Sequence, residues 1–194
     1  MKKKINLVPY IFIALLFTLL YVIFAAKPLQ KDYQFTPIWK INTSNPAVKT
    51  ADNTSNKYYF HLGQTAGYFT KDGKVTFLKT FPAKVAISDS YFALYNTDAT
   101  DVDFFTNSGE KVGVIKGAGY PFFVEDMIFR FLPGGASLAK CDESGESIWL
   151  YEGVIPITAF SAKKDFSALG FADGTIKVIR NEDGIIESNF APGG

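Results

Sequence analysis

Hydrophobic and polar positions follow two different rules along this chain. Between Leu7 and Ala26 every position is uncharged, with only Pro9 and Thr18 as mild interruptions. Beyond Asn45 the apolar positions instead fall into short runs cut by turn residues. At a helical rise of about 1.5 Å per residue, the first run spans roughly 30 Å, the thickness of a bilayer core. It predicts a transmembrane helix or uncleaved signal anchor over 7–26, after a basic tail over 1–6 and before a stalk over 27–45. Lys2, Lys3 and Lys4 precede the run, so the N-terminus is expected in the cytoplasm and Lys27 onward on the outer side. A cleaved signal peptide competes with this reading. Cleavage asks for small residues flanking the site, and Ile23 and Phe24 fit that poorly.

The short runs repeat. A first strand is expected at Ala83 to Ile87, Phe122 to Val124 and Ile157 to Phe160, and a second at Tyr91 to Tyr95, Met127 to Leu132 and Phe166 to Phe171. A third falls at Val102 to Phe105, Ser137 to Lys140 and Ile176 to Ile179, and a fourth at Lys111 to Ile115, Ser147 to Tyr151 and Ile185 to Asn189. No helical periodicity appears after residue 30. Pro46, Pro82, Pro121, Pro156 and Pro192 recur at intervals of roughly 36 residues, and Gly73, Gly109, Gly145 and Gly184 keep step in the turn before the fourth strand. Asp-Gly and Ser-Gly pairs supply the positive φ that a tight hairpin requires.

Four antiparallel strands per unit of this length is the arithmetic of a β-propeller blade. A β-sandwich has similar strands and turns but no reason to hold proline and glycine in register. The expected fold class is therefore all-β, with about four blades (46–81, 82–120, 121–155, 156–191) as part of a larger ring and a fifth beginning at Pro192. The register reaches one step further back. Trp39, Val75, Val114, Trp149 and Ile185 each stand seven residues before a repeat proline. Ile38-Trp39-Lys40-Ile41 thus aligns with Ile148-Trp149-Leu150-Tyr151 as a lone closing strand over 37–41. Its three partner strands do not follow the fourth blade. Either the sequence is the N-terminal part of a longer one, or two copies form a homodimer in which half-rings close head to tail.

The repeat length, turns and strand pattern over about residues 37–194 resemble the broad class of WD40-like and quinoprotein-like β-propellers tethered by an N-terminal anchor. The resemblance implies architecture alone. The Gly-His and Trp-Asp dipeptides of WD40 repeats and the tryptophan-docking motifs of quinoprotein dehydrogenases are missing, so no functional residue carries over.

Composition adds limits. Phe and Tyr are abundant, at 19 and 10, which suits packed strands. The formal net charge is +1, and without the three N-terminal lysines the remainder is near about −2, with no basic stripe, so nucleic acid is not an expected partner. His61 is the sole histidine and is expected to be structural or superficial. Cys141 is the sole cysteine, read as a small buried hydrophobe. Asp98, Asp101 and Asp103 are the weak candidate for a metal, read first as a solvated loop because the glycine and terminal glutamate of an EF-hand are missing. Gly117-Ala118-Gly119 and Pro133-Gly134-Gly135 open no helix and read as turns. Asn42-Thr43-Ser44 and Asn53-Thr54-Ser55 match a glycosylation sequon. Tyr120, Phe122, Phe123 and Tyr151 are expected mainly to pack between blades, with an interaction surface as the alternative.

The expected function is a membrane-anchored, extracytoplasmic, non-enzymatic binding or scaffolding module for envelope proteins or glycans, with no cofactor and no catalytic residue assigned. Its rim is expected at Asn96 to Thr100, Leu132 to Gly135 and Ala172 to Gly174, or alternatively at Lys116 to Pro121 with Glu152 to Pro156. The competing function is a propeller hydrolase or dehydrogenase whose site is completed by further C-terminal blades.

Overall fold

The computed structural model describes residues 7–24, 36–40, 56–191 and 193, and the chain divides into two units, Met1–Ile38 and Trp39–Gly194. In the first unit α1 (Val8–Phe24) runs for 17 uncharged residues and buries none of its side chains. That length rises roughly 25 Å. Among the described residues no helix is long and apolar enough to cross a membrane. Ala25 and Ala26, which end the expected span, the basic tail and most of the stalk lie outside the described residues.

The second unit is a series of antiparallel meanders. The first blade contains β1 (Lys57–Leu62), β2 (Thr65–Thr70) and β3 (Val75–Thr80). Residues 46–55, where its inner strand is expected, lie outside the described residues, as do both sequons and Pro192. The second blade has four strands, β4 (Lys84–Ile87), β5 (Tyr91–Tyr95), β6 (Asp101–Thr106) and β7 (Lys111–Lys116). The third has β8 (Tyr120–Val124), β9 (Met127–Phe131), β10 (Leu138–Cys141) and β11 (Ser147–Tyr151). The fourth has β12 (Ile157–Lys163), β13 (Phe166–Phe171), β14 (Ile176–Arg180) and β15 (Ile186–Phe190). Tyr91–Tyr95, Ser147–Tyr151 and Phe166–Phe171 match their expected strands residue for residue. β8 begins earlier than expected and takes Pro121 inside it. It is an edge strand of its sheet, where a residue without an N–H is tolerated.

β8 touches β4 and β5 on one side and β12 on the other, so the first strands converge while the fourth strands stand apart. Side chains alternate across each strand, and the alternation sorts neighbours into different seams. Ala93, Phe104, Phe123 and Ile128 fill the seam between the second and third blades. Phe92, next to Ala93, packs with Ala66, Tyr68 and Phe81 in the seam to the first blade, joined by Phe105. Phe129, next to Ile128, packs with Leu138, Trp149, Leu169, Phe171 and Ile179 between the third and fourth. Every blade also carries a register shift between its third and fourth strands, at Tyr68/Phe69, Phe104/Phe105, Lys140/Cys141 and Val178/Ile179. A bulge of this kind adds twist, which blades fanned about an axis require.

The expected closing strand over 37–41 is not a strand. Residues 36–40 carry no ladder, and Ile41 lies outside the described residues. An extended segment becomes a strand only against a partner. Trp39 is nonetheless placed, with its ring 5.0 Å from that of Phe69.

Candidate binding face

Tyr120, Phe131, Leu138 and Tyr151 lie in one cross-strand row at one end of the third blade. In the second blade Lys84 pairs Tyr95, and Asp101 pairs Lys116, at the same end. The loop after the second strand and the loop leaving the fourth therefore emerge together. The two sets of rim loops, expected as alternatives, form one face.

Hydrogen bonds tie both sets to the strand ends beside them and, between Ala172 and Pro156, to each other. The Gly117 N–H donates to Asp101 Oδ1 at 3.3 Å, and Arg130 Nη1 donates to the Ala118 carbonyl at 2.7 Å. The Ile157 N–H reaches the Gly135 carbonyl at 2.9 Å, and the Ala172 N–H reaches that of Pro156 at 3.0 Å. Between the blades this face opens into cavities. One of about 420 Å³ is lined by Lys84, Tyr95, Asn96, Thr97, Tyr120 and Leu132, among others. A second, about 370 Å³, lies between Tyr151, Glu152, Val154, Phe171 and Lys177. A third of about 220 Å³ adjoins the first through Tyr120 and is walled by Phe122, Phe131 and Phe160.

Tyr120 stacks almost parallel on Phe131 at 5.2 Å and faces Tyr95 at 6.4 Å, yet remains 38% exposed. Burial pushes the phenols of both Tyr120 and Tyr95 up, so each stays a neutral hydrogen-bond donor at physiological pH. In the second cavity Lys177 Nζ donates to the Tyr151 hydroxyl at 3.0 Å and stands 5.1 and 5.4 Å from the Tyr151 and Phe171 ring centres. Flat rings, neutral hydroxyls, an amide and a lysine in each of the two larger cavities, and the Glu152 carboxylate in one suit a polar or mixed surface.

The opposite end holds a cavity of about 280 Å³ lined by Lys140, Lys164, Asp165, Arg180 and Glu182, among others, and a set of internal bonds. Asn181 is buried; its Nδ2 donates to the carbonyls of Lys163 and Lys164 at 2.9 and 3.1 Å, and its Oδ1 accepts from Ser167 Oγ at 2.6 Å. Trp149 Nε1 of the third blade donates to the Asn181 carbonyl at 2.9 Å. Asn107 does related work in the second blade, donating to the Asp89 carbonyl at 2.7 Å. Sequence reading overlooked these two asparagines. Their signal is position, since each begins the turn that leads to a repeat glycine.

The remaining candidates are dispersed. Asp103 pairs with Lys111 at 2.9 Å, Asp101 pins the Gly117 loop, and Asp98 lies exposed in the turn before them. No group of three His, Cys, Asp or Glu side chains among the described residues is arranged to hold a metal ion. His61 is exposed on β1. Cys141 is buried in the seam between the second and third blades, and burial pushes its thiol up, which disfavours the thiolate. The aromatic group divides: Phe123 is 6% exposed and packs in that seam, whereas Tyr120 and Phe122 line cavities.

Antiparallel four-stranded sheets fanned about their first strands, with large rings filling each seam, define a β-propeller. A family model described as a beta-propeller protein matches residues 1–194, and the chain belongs to that family. An uncharacterized protein of Treponema pallidum (strain Nichols) is 32% identical, over 95% of this chain and 51% of its own length. Among solved structures, Hsv2 of Kluyveromyces marxianus superposes with a TM-score of 0.54 at 16% identity, over 73% of this chain and 50% of that one. BamB of Moraxella catarrhalis superposes at 0.50 with 15% identity, over 69% and 48%. These likenesses are of fold. The chain spans about half the length of the relatives it matches.

Proposed function

We propose that this chain is about half of a propeller ring that acts as a binding or scaffolding module, tethered by α1 with its blades outside the cytoplasmic membrane. The observation that carries the binding role is the asymmetry of the two ends. One gathers both loop sets around cavities with half-exposed tyrosines, whereas the other, where Asn107, Asn181 and Trp149 bond within the fold, offers a smaller cavity lined mainly by charged side chains. Rigid blades that hold open loops suit recognition of a protein or glycan surface. The tether is supported by the uncharged and wholly exposed α1, and its direction by the lysines before it. The half-ring is supported by the coverage of the relatives. That same coverage keeps a second reading, an enzyme completed by further blades.

A photo-cross-linking residue placed at Tyr120 or at Val154 of the full chain, in its native membranes, tests the binding role against controls at Lys111 and Asp183. Discrete adducts from the first pair alone are the expected result. Equal or absent adducts at all four positions would reject the loop face as the contact surface. Labelling of the chain by an active-site-directed hydrolase probe would favour the enzyme instead.

A further inference from the structure

The cavity between the second and third blades differs from the other openings in what its polar groups are bonded to. Lys84, Tyr95, Asn96, Thr97 and Tyr120 bring five polar side chains to its wall. Among the described residues, none of these side chains forms a hydrogen bond or an ion pair within the fold. Elsewhere the polar groups are matched internally. In the cavity beside the fourth blade, Lys177 Nζ donates to the Tyr151 hydroxyl at 3.0 Å, and the Glu152 carboxylate shares the wall. In the charged cavity at the opposite end, Arg180 is paired with Asp183 and Glu187.

The unbonded groups have a definite chemistry. Tyrosine and threonine hydroxyls and an asparagine amide both donate and accept, which matches alcohol groups that do the same. A lysine ammonium only donates, and so calls for an acceptor-only group, a carboxylate. No acidic side chain supplies one: Asp98 and Asp101, later in the same loop, do not line the cavity, and Asp101 accepts from the Gly117 N–H. Phe131 backs Tyr120 in a nearly parallel stack, which fixes the plane of a ring still 38% exposed. A pyranose has a flat C–H face to lay on such a ring and hydroxyls around its rim to reach the polar groups. The volume of about 420 Å³ lies within the roughly 300–1,000 Å³ of small-ligand sites. An extended peptide draws main-chain bonds from a strand edge, whereas the groups offered here are side chains on loops and strand ends.

Resting on the reading of the loop face as the contact surface, we propose that this cavity binds a sugar acid, a pyranose bearing one carboxylate, as a unit of a glycan. Tyr120 is the platform for the ring and Lys84 the counter-charge. Tyr95, Asn96 and Thr97 take the hydroxyls. Specificity then resides in Lys84, because a neutral sugar would strip water from the ammonium and leave it without a partner.

The probes are methyl glucuronide, methyl glucoside and methyl glucosaminide, which share a pyranose ring and differ in charge. Each is titrated into the full chain, held in a detergent without a sugar headgroup, and followed by saturation-transfer NMR. The glucuronide should bind roughly two- to fivefold more tightly than the glucoside. Tyr120→Ala should abolish binding of all three. Lys84→Glu should exchange the preference, so that the glucosaminide binds best, a gain that misfolding does not produce. Equal binding of the three, or binding untouched by Tyr120→Ala, would overturn the sugar-acid site. No saturation of any probe, with discrete protein adducts still formed from a cross-linker at Tyr120, would assign the cavity to a protein partner while keeping the loop face. Loss of both signals would reject the loop face as well.

Discussion

Tyr68 lies wholly inside the seam between the first and second blades, and its phenolic oxygen has no hydrogen-bond partner among the described residues. Burial, with a smaller contribution from Asp89, holds that phenol far above its ordinary range. A buried hydroxyl without a partner costs desolvation with no return, so Tyr68→Phe should raise stability by about 1 kcal/mol. Urea unfolding should show a higher midpoint at unchanged slope, and a lower midpoint would mean that the hydroxyl is bonded in solution. Asp142 illustrates the opposite case. Its Oδ1 accepts from the Ser144 hydroxyl at 2.7 Å and from the N–H groups of Ser144 and Glu146 at 2.8 and 3.0 Å. These bonds, the hydroxyl first, hold its carboxyl below the usual range. A depressed folded value stabilises fully above the unfolded carboxyl pKa of about 3.9 and is lost as pH falls below it toward the folded value. Asp142→Asn should therefore cost stability at neutral pH and progressively less below about pH 4. A difference constant across an acid titration would refute the charge-based account.

At the scale of the element, the turn between third and fourth strands is the repeating device. Gly73, Gly109 and Gly145 donate their N–H to the carbonyls of Thr70, Thr106 and Asp142, whereas Gly184 reaches back to Arg180. The last turn is one residue longer, which contributes to the wider glycine spacing there. Gly184→Ala would meet the Trp149 ring and force a side chain into φ +76°, and should cost roughly 1–3 kcal/mol by thermal unfolding. A neutral result would show that Trp149 can move aside. These turns were legible because glycine marks them at a near-constant interval. The four bulges were not, because Phe69, Phe105, Cys141 and Ile179 have no residue type common to all four, and a bulge is set by pairing between strands. The single binding face was hidden for a related reason. Loops after the second and fourth strands lie far apart in sequence, and only cross-strand register, as in the row Tyr120, Phe131, Leu138 and Tyr151, brings them to one end.

For the whole molecule, the open question of location rests on α1. An uncharged 17-residue helix with every side chain exposed has buried no apolar surface of its own. Burying a Leu, Ile or Phe side chain is worth about 1.5–3 kcal/mol. A helix of such residues left in water would forgo many times the stability of an ordinary domain. The apolar sequence continues through Ala25 and Ala26, which brings its length to about the twenty residues that a bilayer core needs. The full chain should therefore remain with membranes through alkaline carbonate extraction, and removal of residues 1–26 should release it. In spheroplasts, protease added outside should digest the blades while an epitope at the N-terminus survives. Carbonate release of the full chain would reject the tether, and protection of the blades from outside protease would reverse its direction.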